Sequence, residues 1–330
     1  MQIRKKLPQL LAMVASSLSI FIYAAQLRAQ TGPQLYLLPF EPDTQIQSKN
    51  GAFSIFGNNT QQHDEIDIFY LWSDARAKLD AIKLPQMRFG YELHTLLIDS
   101  NTSVLPDALY NYNVGISYEF GEIFKDWDLA LTAGIGTAND GHFSNATSYY
   151  GMGTLMLNYH LSPTQQVSVG VSFDGNRDIF PDTPLPFIQY YHYVSPEFQY
   201  ILGLYNRLIW TPNPIFKITL GGGISLGGQV IGFDARASYF PIEDLELFLS
   251  FDNSTEGFFQ NNQGRTRLFY MYNIAGGGFA YNITKKITFE AGAGYAFNQR
   301  FATGFDFRDL STIVRPNDNA AVFLNLHADF

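Results

Sequence analysis

His142 and Ser144 stand two residues apart in the stretch Asp140-Gly141-His142-Phe143-Ser144-Asn145-Ala146. On extended chain, side chains two apart point the same way, so an imidazole and a hydroxyl placed like this could act as general base and nucleophile in acyl transfer. A base of this kind needs a third group to orient it, and 146–173 contains no Asp or Glu. Asp140 can serve only if the loop folds back. The same residues, rich in Gly, Asn and Ser, equally describe a polar surface turn without chemistry.

The pattern His-aromatic-Ser-Asn-Ala resembles that of outer-membrane lipid A deacylases, and His-x-Ser recurs in outer-membrane phospholipase. The resemblance implies an outer-leaflet lipid hydrolase with His142 and Ser144 as its catalytic pair. It covers only these few residues. Met156 falls where the deacylases carry their acidic partner, and those barrels are far shorter than this chain.

Other sources of chemistry are sparse. His63, His94, His160, His192 and His327 lack metal-ligand spacing, and there is no cysteine, so no metal and no cofactor is expected. The glycine runs at 221–223 and 276–278 match no phosphate cradle and precede no helix. Inside strands they mark kinks or close backbone approach. Tyr190-Tyr191-His192-Tyr193 is either a carbohydrate-stacking platform or part of an interfacial aromatic girdle.

A second set of side chains gains meaning only from the elements that carry it. Arg88, Glu92 and His94 share one face of a segment at 86–99. Lys217, Thr219 and Ser225 share a face of 215–226, Asp234 and Arg236 a face of 229–240, and Glu290 a face of 286–298. Arg265 and Arg267 enter at the outer end of the hairpin after 244–252. On a lipid-facing wall each such charge would cost ~2–4 kcal/mol at mid-membrane, so they are expected to point into a lumen. There, Arg88, Glu92, Lys217, Asp234, Arg236, Arg267 and Glu290 either form a charged constriction that selects a solute or pair off and fill the interior.

The elements themselves alternate. In 109–120, Tyr110, Tyr112, Val114, Ile116, Tyr118 and Phe120 oppose Asn111, Asn113, Gly115, Ser117 and Glu119. In 286–298, Ile287, Phe289, Ala291, Ala293, Tyr295 and Phe297 oppose Thr288, Glu290, Gly292 and Gly294. At the carboxy terminus Val322, Leu324, Leu326, Ala328 and Phe330 oppose Asn325, His327 and Asp329. Period two over such lengths, one face for lipid and one for water, is the pattern of a transmembrane β-strand. The chain holds 29 Phe, 20 Tyr and 28 Gly, which suits aromatic girdles and small inward residues.

Fourteen strands are predicted, at about 46–57, 66–80, 86–99, 109–120, 127–138, 148–160, 165–175, 198–211, 215–226, 229–240, 244–252, 266–282, 286–298 and 320–330. Dropping the first two gives twelve. Long connections at 299–319, 253–265, 176–197, 139–147 and 100–108 alternate with short ones at 283–285, 241–243, 212–214, 161–164 and 81–85, with two exceptions, a tight outer turn at 227–228 and a middling connection at 121–126. Pro241, Pro212, Pro214, Pro163 and Pro85 sit in the short set, where a missing N–H breaks no ladder.

Arg4, Lys5 and Lys6 precede an apolar stretch to Ala25, and Ala29 offers a cut site, so residues 1–29 are expected to be a signal peptide. Residues 30–45 then form a periplasmic lead-in and 46–330 the barrel. Cleavage would remove four basic residues and no acidic one, moving the net charge from −9 to −13. That acidity excludes nucleic acid as a partner. The expected partners are outer-membrane lipid, a small solute, and the barrel-assembly machinery, engaged through the terminal strand ending in Phe330.

Across 180–300 the order Phe180-Pro181, Pro184-Leu185-Pro186, Leu208-Ile209-Trp210-Thr211-Pro212, Tyr239-Phe240-Pro241 and Ala293-Gly294-Tyr295-Ala296-Phe297 resembles a family of Gram-negative outer-membrane barrels catalogued as a domain of unknown function. The resemblance implies the barrel and the outer membrane, and supplies no catalytic residues. The expectation is therefore a monomeric, all-β, antiparallel up-and-down barrel in the cell outer membrane. It would pass or bind a small polar or amphipathic solute, and the alternatives are the lipid hydrolase or a structural or adhesive barrel acting through its outer loops.

Overall fold

Alternating side chains along extended backbone leave every N–H and C=O seeking a partner on a neighbouring strand, and in lipid only a closed sheet satisfies them all. The computed structural model describes residues 35, 44–59, 65–79, 84–203, 205–223, 232–261 and 263–330. The expected signal peptide at 1–29 and most of the expected lead-in at 30–45 lie outside these residues, as do Ser225 and the outer turn expected at 227–228. The strands are β1 (Ile46–Asn59), β2 (Glu65–Leu79), β3 (Leu84–Ser100), β4 (Ala108–Phe124), β5 (Trp127–Asn139) and β6 (Tyr149–Ser162). They continue with β7 (Gln165–Asp174), β8 (Leu185–Ser195), β9 (Phe198–Gly203), β10 (Tyr205–Asn213), β11 (Phe216–Gly223) and β12 (Gly232–Ile242). The chain ends with β13 (Leu245–Phe259), β14 (Arg267–Thr284), β15 (Ile287–Gly304), the four-residue β16 (Ser311–Val314) and β17 (Asn319–Asp329).

From β1 to β16 each strand pairs antiparallel with the next, β15 also pairs with β17, and β17 pairs with β1 from Gln47↔Asp329 to Ile55↔Ala321. The sheet is therefore closed. β16 is an accessory to the outer end of β15, so sixteen strands form the wall.

Sixteen replaces the expected fourteen, and both differences have a physical cause. β8 lies in what reads as a long loop, because Pro184 and Pro186 flank Leu185 at its start. The stretch 198–211 is not one strand but the hairpin β9–β10, with Ile201 opposite Arg207 and Phe198 opposite Trp210. The paired numbers differ by an even count, so even-numbered residues face lipid on both arms and the alternation runs through the turn without a break in phase. Leu202 and Trp210 accordingly both point outward. Among the described residues, Gly203 at φ +142° marks the reversal, with its N–H on Asn206 Oδ1 at 3.0 Å. The twelve-strand alternative also falls, since β1 is the strand that closes the barrel.

The outer wall carries exposed Phe69, Leu71, Leu93, Ile116, Leu131, Ile135, Leu155, Ile188, Leu249 and Leu324, which suit lipid. The Tyr190–Tyr193 cluster lies within β8 near the turn at 196–197, not in the long connection expected at 176–197. There His192 Nδ1 meets the Tyr200 hydroxyl at 2.9 Å, the place of an interfacial girdle. Within the lead-in, Leu35 is fully buried and its carbonyl accepts a hydrogen bond from the Arg88 guanidinium at 3.4 Å.

β13, β14 and β15 have 15, 18 and 18 residues, well beyond the ~9–11 that cross a bilayer. Their excess does not stand out into solvent. β13 lies eight positions from β5 around the ring, on the opposite wall, yet Phe259 bridges Asn139 of β5. Asn261 N–H donates to Asp140 Oδ2 at 2.9 Å. Pairing of β15 with β17 stops at Ala296↔Asn319, while β13–β14–β15 pairing continues outward to Phe259↔Arg267 and Arg267↔Gly304. The outer ends of β13, β14 and β15 thus leave the wall together and cross the mouth of the barrel as a flap.

Candidate functional site

The interior is built in two storeys. Registers bring Glu246, Ala280, Glu290 and Asn325 side by side on β13, β14, β15 and β17. A second row runs His327, Lys49, Asp74, Glu92 and Asn113 across β17, β1, β2, β3 and β4. Asn325 and His327 are two apart on one face of β17, so the rows join into a polar belt.

Arg236 of β12 holds one end of this belt. Its Nε lies 2.8 Å from Glu246 Oε1 and one terminal nitrogen 2.8 Å from Glu290 Oε2, and the guanidinium sits 3.6 Å over the Phe248 ring. Ala280, between the two glutamates, leaves the space this needs. Ser238 Oγ donates to Glu246 and Asn325 Nδ2 donates to Glu290 at 2.7 Å. All three charges are buried. Removing one member of such a group leaves a buried charge uncompensated, at a cost of ~3–5 kcal/mol.

Of the other charges expected in the lumen, Glu92 accepts from Asn113 Nδ2 at 3.0 Å and Arg88 meets Glu119 at 3.5 Å nearer the periplasmic end. Lys217 and Asp234 lie on the same inner face as Arg236, and Lys217 is buried. Asp234 packs where Gly221 leaves room, since a side chain there would collide with its carboxylate. Arg267 is placed differently. It sits in the flap, with its donors on the carbonyls of Phe305, Asn176 and Arg177 at 2.8–3.0 Å, so it fastens loops 305–310 and 175–184 and does not line the belt. Arg265 pairs with Asp182 at the same end.

Above the belt the interior turns apolar. Phe53, Ile55, Ile66, Ile68, Leu96, Ile98 and Leu109 project from β1–β4. Phe258, Leu268, Tyr270 and Phe301 come down from the flap against them, with the Tyr270 and Phe301 rings stacked 4.7 Å apart. At the boundary between storeys, Glu256 of the flap reaches the far wall. Its carboxylate accepts from Tyr70 Oη at 2.8 Å and Asn111 Nδ2 at 2.9 Å, and lies 3.0 Å from His94 Nδ1. The other ring nitrogen of His94 is 3.0 Å from Asp74 Oδ1. One flap side chain is therefore tied to β2, β3 and β4 together. The opposite flap face carries Phe259 against Ala138 and Tyr150, and the Gly257 carbonyl accepts from Asn176 Nδ2 at 3.1 Å.

Glu256 falls in a stretch that reads as an outer loop, 253–265. A signal for the flap was present in Leu268-Phe269-Tyr270-Met271-Tyr272, five apolar or aromatic residues without alternation. Such a run implies burial on both faces, which a wall strand between lipid and water does not have. Phe259 and Phe269 on one side, Phe258 and Tyr270 on the other, are all buried.

In the loop 140–148, Asp140 does fold back on His142, at 3.0 Å from Nδ1. Among the described residues, however, Ser144 makes no hydrogen bond with His142. Asn145 caps the short turn that follows and carries the chain away. Both side chains are exposed, and the other oxygen of Asp140 is engaged by the flap tip.

A closed sixteen-stranded sheet with a lipid-suited exterior and a charged interior is a transmembrane β-barrel of the outer-membrane type. Residues 97–328 match the family described as a domain of unknown function, DUF6268, and the chain belongs to that family. Among solved structures, the chain is similar to the Acinetobacter baumannii outer membrane protein Omp33 at 12% identity and a TM-score of 0.36, covering 87% of this chain and 98% of that one. It is similar to an outer membrane channel from Pseudomonas putida F1 at 9% identity and 0.36, covering 89% and 97%. The P. putida toluene transporter TodX matches at 10% identity and 0.34, covering 88% and 91%. No curated protein matches the sequence.

Proposed function

We propose that the protein is a gated passive channel of the outer membrane for a small amphipathic solute. The observation that carries this reading is the two-storey interior, an apolar outer half above a charged belt on the same wall. A sixteen-stranded barrel is wide enough for an aqueous lumen unless something fills it. Here the flap fills the outer half, and its aromatic side chains occupy the lining that a solute's apolar part would meet when the flap lifts. The belt of Arg236, Glu290, Glu92 and Lys217, with Asp234 beside them, then receives the polar end. Assembly proceeds through β17, whose terminal Phe330 carbonyl accepts the Ile46 N–H at 2.7 Å and so completes closure.

The test is single-channel recording of the refolded protein in a planar bilayer, with and without candidate amphipathic solutes. Brief openings that a solute prolongs or blocks support the reading. A folded barrel that stays silent under all conditions, with flap variants silent as well, refutes it.

A further inference from the structure

Where the flap leaves the wall, the outside of the barrel is indented. A bulge between Met271↔Arg300 and Asn273↔Phe297, with Asn298 at φ +53°, opens a cavity of about 320 Å³. Asn253, Asn273, Asn298, Gln299, Arg300 and Arg315 line it, with Met271 and Tyr272 at its back. Asn253 and Asn273 continue the column of outward side chains that includes exposed Leu249 and Phe233. Just below them the Phe251 and Phe297 rings lie 6.3 Å apart on the lipid face.

The depth fits the outer interface. Tyr281, near the periplasmic end of β14, and Asn273 are eight positions apart. That is ~26 Å along a strand at ~3.3 Å per residue, or ~20 Å of depth at a tilt of ~40°. Asn273 therefore stands near the upper edge of an apolar band ~25 Å tall.

Two cations meet here without an anion. Arg300 and Arg315 adjoin Phe301 and Val314, which pair across β15 and β16, and both line the cavity. Like charges gathered in one cavity repel unless an anion screens them. Arg300 Nε contacts only the Met271 sulfur, at 3.1 Å, and neither guanidinium has a carboxylate partner among the described residues. The nearest acid in the sequence, Asp318, is engaged by the Asn298 N–H at 3.0 Å. The Asn253 amide donates to Asn273 Oδ1, which leaves the Asn273 amide nitrogen as a donor toward the cavity. In a chain of net charge −9, two arginines that line one cavity among amide side chains form a site complementary to an outside anion.

We propose that this cavity binds the phosphate of an outer-leaflet lipid, with Arg300 and Arg315 as its charged clamp, Asn273 as a neutral donor, and the acyl chains lying on Phe251 and Phe297. Guanidinium pairs suit phosphate because they donate to two oxygens at once. The volume falls at the lower end of ligand sites, ~300–1,000 Å³, enough for one headgroup phosphate. The assignment is independent of what passes through the lumen.

Native mass spectrometry of the full refolded chain in detergent tests it, with diphosphoryl lipid A as probe and its dephosphorylated form alongside. The wild type is expected to retain the phosphorylated lipid and to lose ~10–100-fold in affinity when both arginines become Gln, as for the loss of one or two charge-assisted hydrogen bonds. Arg315→Gln alone, at an exposed loop position that the fold does not need, is expected to give part of that loss. Equal retention of both lipids, or unchanged affinity in a folded Arg315→Gln and double variant, overturns the proposal. Displacement of the lipid by inorganic phosphate at equal concentration overturns the lipid source and leaves a free-phosphate site.

Discussion

Truncating Glu256 to Ala should unlatch the flap. Three contacts to one carboxylate, from Tyr70, Asn111 and His94, disappear together. Hydrogen bonds to a charged group contribute ~1.5–3 kcal/mol each, but water replaces part of that when the flap lifts, so the net loss is ~3–5 kcal/mol. At 1.4 kcal/mol per factor of ten, the open-to-closed ratio rises ~100–4,000-fold. Packing opposes full opening. Phe258, Leu268, Tyr270 and Phe301 are buried against β1–β4 and together favour the closed state by ~6–12 kcal/mol. Glu256→Ala alone should therefore turn rare openings into frequent brief ones. Adding Phe258→Ala removes a further ~3–5 kcal/mol, which leaves only ~3–7 kcal/mol favouring closure. The assay is single-channel recording, with heat-modifiable gel migration as the check on folding. Event frequency should climb by two to three orders of magnitude in the single variant, and by a further two to three in the double variant. A folded double variant as silent as the wild type would refute the claim that the flap controls the mouth.

Three further expectations follow from the same geometry. Arg236→Ala leaves Glu246 and Glu290 facing each other unpaired, so it should lower unfolding stability by ~3–5 kcal/mol and shift reversal potentials toward cations; unchanged urea unfolding and selectivity would contradict the belt. Gly203→Val forces a β-branched residue to φ +142° and drives its side chain into the Ile188 carbonyl. The β9–β10 hairpin should then fail to form, read as a reduced yield of heat-modifiable barrel, whereas Leu202→Val on the lipid face should fold normally. Burial raises the Asp306 carboxyl, but donation from the Arg308 side chain and from the Arg308 and Phe180 N–H groups outweighs it and holds the group below the usual carboxylate range. Because the folded value is depressed, its contribution is complete above the ordinary carboxylate pKa of ~4 and is lost as pH falls through the folded value. Protease access to 305–310 should thus be flat from neutral pH to ~5 and rise only in stronger acid, and Asp306→Asn should be accessible throughout.

Much of the wall was legible because a bilayer imposes one rule on every strand. Lipid on one side and water on the other force period two, so inward and outward side chains of β4, β15 and β17 follow from parity alone. The inward placement of Arg88, Glu92, Lys217, Asp234, Arg236 and Glu290 follows the same way. The strand count was harder. The β9–β10 hairpin preserves parity, and two prolines at the start of β8 mimic a loop, so local pattern could not reveal either turn or strand.

Contacts across the lumen were beyond any local reading. Arg236 meets Glu290 at a separation of 54 residues, and Glu256 meets Tyr70 at 186. Strand registers and the closure of the ring set those distances, and neither leaves a mark on neighbouring residues. The inward turn of the flap is likewise a tertiary event. Its strands keep the same backbone and pairing as the wall, and only the exchange of lipid for protein on their outer face distinguishes them. The sequence by itself determined a lipid-spanning barrel with charges inside. The tertiary structure decided which charges meet and what covers the mouth.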